Sequence, residues 1–155
     1  MSVAIILGSK SDLAVARAAT EVLKELGVAY SVHVASAHRT PGLLRELVEK
    51  SGADVFIGIA GLSAALPGAI ASHTTRPVIG VPVSGKVNLD AILSIVQMPP
   101  GMPVAAVGLD AGANAAMLAA QILAVKDAAL AERLVQRRRA MHDKAVADGK
   151  ELGDI

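Results

Sequence analysis

The first group of residues suited to chemistry lies directly after an apolar run near the start of this 155-residue chain. Residues 8–12 (GSKSD) place a glycine turn and hydroxyl groups ahead of a helical pattern, and Gly8, Ser9 and Ser11 could cradle a phosphate or another anion. Asp12 can accept hydrogen bonds from sugar hydroxyls, although Ser11 or Asp12 could equally be an ordinary helix cap. The segment matches neither the P-loop nor the dinucleotide fingerprint, which disfavours a nucleoside triphosphate or a dinucleotide.

A second group follows the next strand-like run, at residues 36–41 (SAHRTP). Histidine is the usual proton carrier near neutral pH, and arginine is the usual bidentate partner of a phosphate. Either His38 or Arg39 alone would pass for an ordinary loop side chain. Because the two are adjacent and follow a strand, we predict that both face the same cleft as Ser9 and Asp12.

A third segment, residues 60–68 (AGLSAALPG), is small, apolar and nearly free of ionisable groups. Such a loop allows the backbone to approach a ligand closely and helps to exclude water. Packing between elements would favour the same composition, so this pattern by itself leaves both interpretations open.

The elements that must position these groups alternate regularly between short β-branched runs and longer helical patterns. This alternation with short links predicts parallel strands joined by right-handed crossovers. We therefore predict an α/β fold of the flavodoxin-like, doubly wound type, a three-layer sandwich around five parallel strands in the order 2-1-3-4-5. In such sheets the ligand binds beyond the carboxyl ends of the strands, where all three segments lie.

We predict one domain over residues 1–155, with a core at residues 1–126 and a C-terminal helix at about residues 128–147. Thr40 is expected to cap the second helix, and Pro41 to open it. The predicted strands are residues 3–7, 30–35, 55–59, 78–81 and 104–107, and the earlier helices are residues 13–26, 41–52, 67–72, 89–96 and 113–125.

The charge balance argues against two classes of partner. With 15 basic and 14 acidic residues the net charge is +1, which provides no electrostatic basis for binding nucleic acid or an anionic membrane surface. The most apolar stretch, residues 115–125, is far shorter than the roughly 20 residues of a membrane helix. We find no signal-peptide pattern and no metal-ligand cluster. The lack of cysteine is compatible with the cytoplasmic location that we predict.

The composition also predicts an oligomer. Hydrophobic residues make up 53% of the chain, but charged residues only 19% and aromatic residues only 1%. A globule of this size leaves about a third of its extended-chain surface exposed, and few charges are present to cover it. We therefore expect apolar surface to lie against other copies of the chain, the alternative being an alanine-rich monomer.

Several ordered motifs make the chain similar to the N5-carboxyaminoimidazole ribonucleotide mutase family of purine biosynthesis. They extend from residue 8 to residue 123 and so cover most of the domain. The motifs are GSKSD at 8–12, SAHRTP at 36–41, AG at 60–61 with LPG at 66–68, PVIGVP at 77–82, LSIVQMPPG at 93–101 and NAAMLAAQIL at 114–123.

The resemblance implies a homo-octameric enzyme that needs neither a metal nor an organic cofactor. It implies conversion of N5-carboxyaminoimidazole ribonucleotide into 4-carboxyaminoimidazole ribonucleotide, by loss of CO2 from N5 and its recapture at C4. By position, Ser9, Asp12 and Arg39 match residues that bind the ribonucleotide. His38 matches the catalytic histidine of the family, and we expect it to accept the C4 proton.

The same resemblance implies a pocket for CO2 bordered by the backbones of Ser36, Ala37, Gly61 and Leu62. At this pocket the chain departs from many mutases, which carry a histidine directly before the LPG motif where this chain has Ala65. The surrounding LSAAL stretch is similar to the RSNAL of a carboxylase branch, which takes up free CO2 with aminoimidazole ribonucleotide. The TP of SAHRTP, the LPG motif and the LSIVQMPPG motif favour the mutase.

A non-catalytic flavodoxin-like module is an alternative from another class. A receiver domain needs an acidic cluster at the ends of strands one and three, and the third strand ends in the sequence IAG. A flavin carrier usually encloses its flavin between aromatic rings, but the chain has only Tyr30 and Phe56. Both features disfavour this alternative, which a yellow purified protein would revive.

Overall fold

The computed structural model describes residues 1–152 and contains one parallel sheet of five strands in the order β2-β1-β3-β4-β5. This order confirms the predicted flavodoxin-like topology, in which the chain starts inside the sheet and winds to both sides. The strands are β1 (Ser2–Leu7), β2 (Ala29–Val34), β3 (Val55–Ala60), β4 (Val78–Pro82) and β5 (Ala105–Ala106).

Over residues 1–152, six α-helices cover the two faces of the sheet, which confirms the three-layer sandwich. The first, fifth and sixth helices pack on one face, and the second, third and fourth on the other. A short 3₁₀ turn, Lys10–Asp12, precedes the first helix. The helices are α1 (Leu13–Glu25), α2 (Pro41–Glu49), α3 (Leu66–Ala71), α4 (Asn88–Val96), α5 (Gly112–Ala124) and α6 (Ala128–Leu152).

Strand β1 is apolar at every position after Ser2, and its packing shows why. Val3, Ile5 and Leu7 pack in the core that contains α1 and α5, whereas Ala4 and Ile6 pack in the core on the opposite face. Successive side chains of a strand point to opposite faces, so a strand covered on both sides has no polar positions. A continuous apolar run is therefore the sign of an inner parallel strand.

Two paired glycines bring α3 close to the sheet and so position the loop that precedes it. Gly58 of β3 is the register partner of Gly80 of β4. A Cβ atom on Gly58 would lie 3.2 Å from Pro67, and one on Gly80 would lie 3.1 Å from Pro67 and 2.5 Å from Ile95. Because only glycine lacks this atom, the pair allows Pro67 to sit directly on the strands.

Some boundaries differ from the predicted ones. Strand β5 has two residues rather than four, because it lies at the sheet edge and pairs only with Ile79 and Gly80. Helix α2 ends at Glu49 rather than at residue 52. Helix α6 continues to Leu152, beyond the predicted end near residue 147. A 2.7 Å ion pair between Lys144 and Asp148 spans that predicted end, and pairs at this spacing stabilise helices.

We expect Gly112→Ala to destabilise the fold through the contact between α1 and α5. Gly112 is buried, and a Cβ atom there would collide with the backbone carbonyl oxygen of Val15. Overpacking of this kind costs about 1–3 kcal/mol. Urea unfolding at a fixed chain concentration measures the loss.

The matched control is Gly149→Ala in α6, where an added Cβ would have no neighbour within 4 Å. Alanine is the better helix former, so this variant should be unchanged or more stable by up to about 1 kcal/mol. Equal stability of the Gly112 variant and the wild-type protein would contradict the tight packing of the two helices.

Candidate active site

One cleft at the carboxyl edge of the sheet collects the loops that follow β1, β2, β3 and β4. Its volume is about 590 Å³, which is within the usual range for a small-molecule site. Every site residue that the sequence predicted lies on its wall. These residues are Gly8, Ser9, Ser11, Asp12, Ser36, Ala37, His38, Arg39, Gly61 and Leu62.

The loop after β1 is held by hydrogen bonds among its own side chains. The Ser9 amide donates to Asp12 Oδ2 at 3.1 Å, and the Ser11 amide donates to Ser9 Oγ at 3.3 Å. The Ser11 hydroxyl donates to Asp12 Oδ1 at 3.0 Å. Ser9 and Asp12 thus form the capping box of the 3₁₀ turn and also line the cleft, so capping and ligand binding do not exclude each other here.

Asp12 is the one buried charged residue within the described range 1–152. Each of its carboxylate oxygens already accepts one bond from this loop, and an ionised carboxylate has lone pairs for further donors. A buried and hydrogen-bonded side chain is fixed in orientation. Asp12 can therefore present the remaining acceptor positions to a ligand hydroxyl without reordering.

The loop after β2 is closed by Thr40 in a way that the sequence did not predict. Thr40 lies at the N-cap position of α2, but its side chain makes no bond to that helix. Its Oγ1 instead accepts from the Ser36 amide at 2.9 Å, and the Arg39 amide donates to Ser36 Oγ at 3.2 Å. The predicted cap is therefore wrong in its bonding, because Thr40 closes the loop that carries His38.

Arg39 connects the first two loops of the cleft. Its Nη2 donates to the carbonyl oxygen of Gly8 at 2.9 Å, across 31 positions of sequence. A guanidinium has five N–H donors, so most of them stay available to an anion. His38 is exposed on the cleft wall, and its ring has no hydrogen-bond partner among residues 1–152. Within this range, no protein group therefore competes with a ligand for the ring nitrogens of His38.

The loop after β3 adopts a backbone that few side chains tolerate. Leu62 has φ 53° and Ala64 has φ 37°, both in the left-handed region. Such residues are uncommon outside glycine, and they concentrate at ligand-binding sites. The Ala64 amide donates to the Gly61 carbonyl oxygen at 2.9 Å and closes the turn. Backbone atoms and the side chains of Leu62, Ser63 and Ala64 form this side of the cleft.

The loop after β4 contributes wall residues that the sequence analysis did not select, namely Val83, Ser84 and Gly85. The Val83 amide donates to Ala60 O at 2.9 Å, and a Cβ on Gly61 would lie 3.3 Å from Val83 O. The third and fourth loops therefore touch. The sequence signal that could have identified Val83, Ser84 and Gly85 was their position directly after a predicted strand. Their side chains carry no chemistry that would have singled them out.

The described part of the chain contains neither a metal-ligand cluster nor a membrane-spanning helix. Among residues 1–152 no three side chains of the metal-ligating types are grouped closely enough to hold an ion. Over the same residues we find no helix that combines the length and the apolar character needed to traverse a lipid bilayer.

Comparison with known families identifies the protein family of the chain that carries these loops. The family model described as AIR carboxylase matches residues 2–144, which is nearly the whole chain. The chain belongs to the AIR carboxylase family. The family match contains all four loops of the cleft.

Individual proteins agree with this family assignment. The chain is 55% identical over 154 residues to the N5-carboxyaminoimidazole ribonucleotide mutase of Methanocaldococcus jannaschii, covering 99% of this chain and 98% of that protein. It is 50% identical to a probable N5-carboxyaminoimidazole ribonucleotide mutase of Methanobrevibacter smithii, of which it spans only 45%. The crystal structure of Treponema denticola PurE has a TM-score of 0.86 and 30% identity, covering 97% of this chain and 98% of that one.

Proposed function

We propose that this AIR carboxylase family member converts N5-carboxyaminoimidazole ribonucleotide into 4-carboxyaminoimidazole ribonucleotide in purine biosynthesis, as an isomerase that moves a carboxyl group. The observation that carries the proposal is a cleft that combines a guanidinium, a serine–aspartate turn and an imidazole without a hydrogen bond to residues 1–152. The 55% identity to a protein named for this reaction supports it. We place the reaction in the cytoplasm, with which the cysteine-free sequence is compatible.

We propose that the first two loops bind the phosphoribosyl group. Arg39 is tied to the Gly8 carbonyl oxygen by one donor, and its other donors can pair with phosphate oxygens. The Ser9 hydroxyl adds a neutral donor at the N-cap of the 3₁₀ turn, whereas the Ser11 hydroxyl already donates to Asp12 Oδ1 and offers a ligand only its acceptor positions. Asp12 accepts from a ribose hydroxyl through its remaining lone pairs.

The proton balance of the reaction defines the role that we propose for His38. When the carboxyl group moves, the bond from N5 to the carboxyl carbon breaks and a bond from C4 to that carbon forms. One proton leaves C4, and N5 gains one. An imidazole can perform both transfers near neutral pH, so a single histidine suffices. Because no electron or phosphoryl group is transferred, we propose no cofactor.

We propose that the apolar side of the cleft retains CO2 between its release and its recapture. Ser36 and Ala37 border this pocket on one side, and Gly61 and Leu62 border it on the other. Holding a small reactant against C4 replaces a bimolecular encounter by a local one, which accelerates reactions strongly. Among the lining residues of the loop at 60–66, only Ser63 has a polar side chain, so this wall offers water few side-chain hydrogen-bond partners.

A substrate comparison tests the proposed reaction against the carboxylase alternative. We expect rapid formation of 4-carboxyaminoimidazole ribonucleotide from the N5-carboxy compound without added bicarbonate. Absorbance or chromatography measures the product. Aminoimidazole ribonucleotide with bicarbonate should react much more slowly at equal substrate concentration. Efficient turnover of only that second mixture would assign the protein to the carboxylase branch. Turnover of neither substrate would contradict both enzymatic proposals.

We propose that the protein assembles as a homo-octamer. Several apolar side chains are exposed at the two sides of the single chain, including Val32 and Val34 on edge strand β2 and Leu89 and Val96 on α4. Groups of exposed apolar side chains are typical of surfaces that other chains cover. Light scattering should give the mass of eight 15.7 kDa chains, and the mass of one chain would contradict the proposal.

A further inference from the structure

Asp110 adopts an unusual backbone conformation next to the candidate active site. It follows β5 and has φ 56°, which lies in the left-handed region that non-glycine residues seldom adopt. Backbone bonds enclose it, because its amide donates to Pro82 O at 2.9 Å and the Gly112 amide donates to its carbonyl oxygen at 2.9 Å. This conformation is therefore imposed by the surrounding chain.

The conformation directs the Asp110 carboxylate to the wall of the cleft. Asp110 Oδ1 accepts a hydrogen bond from the Ser84 amide at 2.9 Å, across 26 positions of sequence. Ser84 and Gly85 both line the cleft. Asp110 itself does not line the cleft, so it acts on the cavity through Ser84.

A second side chain holds the next amide of the same loop. The Gly85 amide donates to Asn88 Oδ1 at 2.8 Å, so two consecutive amides on the cleft wall are bound by protein side chains. The wall is anchored on its other side as well, where the Val83 amide donates to Ala60 O at 2.9 Å. The loop after β4 is thus fixed before any ligand binds, as preorganised catalysis requires.

We infer that Asp110 is a positioning residue, which fixes the loop after β4 as part of the wall of the cleft that His38 and Arg39 also line. The inference rests on the proposed function, because the position of this wall can affect catalysis only if the protein turns over a substrate in the cleft. A bond from a backbone amide to a carboxylate is a charge-assisted hydrogen bond and is stronger than a neutral one. Its loss should loosen the wall and misplace the substrate, and small misplacements lower rates by up to about 10²-fold.

Two substitutions at position 110 separate the acceptor from the backbone conformation. Asp110→Gly tolerates a positive φ but removes the carboxylate, and we expect kcat/KM to fall about tenfold. Asp110→Asn keeps an oxygen acceptor and also tolerates the left-handed region, so it should stay within about threefold of the wild-type value. Rescue by asparagine is an effect that general destabilisation would not produce.

Asp127→Ala is the matched control. Asp127 Oδ1 accepts from the Leu130 amide at 3.0 Å near the start of α6, so it makes the same kind of bond away from the cleft. This variant should lower the melting temperature but leave kcat/KM unchanged.

Amide hydrogen exchange supplies a readout that does not depend on turnover. The Ser84 amide should exchange faster in the Asp110→Gly variant than in the wild-type protein, and at an intermediate rate in Asp110→Asn, whose neutral acceptor makes a weaker bond. Unchanged exchange at Ser84 in the glycine variant would overturn the inference, even if the wild-type protein proves inactive on both substrates. With active wild-type protein, normal kcat/KM in the glycine variant, or an asparagine variant as impaired as the glycine one, would also overturn it.

Discussion

Replacing His38 by asparagine should lower kcat by about 10²–10⁴-fold and leave ribonucleotide binding within a few-fold of the wild-type protein. Proton transfer by a positioned side chain contributes a factor of this size. Asparagine retains a polar planar group but cannot accept and return a proton at neutral pH. Since His38 makes no hydrogen bond within residues 1–152, its removal leaves no protein partner unsatisfied.

Single-turnover kinetics and equilibrium binding of the product ribonucleotide together measure this effect. The matched control is His142→Asn on α6, because His142 is exposed and contacts Asp143 rather than the cleft. That variant should keep the wild-type kcat. If the His38 variant retained near-normal kcat, another group would have to carry the C4 proton, and the proposed role would be wrong.

Arg39→Ala should weaken ribonucleotide binding by about 10–150-fold. Hydrogen bonds to charged groups contribute about 1.5–3 kcal/mol each, which corresponds to this range. The variant also loses the bond from Nη2 to the Gly8 carbonyl oxygen, which holds the first two loops together. We expect the larger change in KM and in the dissociation constant, with a smaller change in kcat.

Two further variants isolate the guanidinium. Arg39→Lys keeps the positive charge but loses the planar fork, so its affinity should lie between those of the alanine variant and the wild-type protein. Arg45→Ala removes a guanidinium that pairs with Glu49 at 2.7 Å on the exposed face of α2, and it should bind normally. Wild-type affinity in Arg39→Ala would exclude Arg39 as a phosphate ligand.

The general form of the cleft was predictable because it depends on local patterns and on chain direction. A run such as residues 3–7 is apolar throughout only when helices cover both faces, and regular β–α alternation allows few strand orders. Parallel strands end at one edge, so the segments after β1, β2 and β3 had to meet there. For this reason His38, Arg39, Ser9 and Asp12 could be assigned to one cleft from sequence.

The bonds that hold the cleft in shape were not predictable, because they join segments that are far apart in sequence. Arg39 reaches Gly8 across 31 positions, and Asp110 reaches Ser84 across 26. The positive φ angle of Leu62 opposes the local preference of leucine, and that of Asp110, which aspartate tolerates better, is accompanied by backbone bonds to Pro82 and Gly112. The sequence by itself determined which strand ends carry the chemistry. Only the tertiary structure determined how those ends are fixed, because long-range hydrogen bonds leave no periodic signal in the chain.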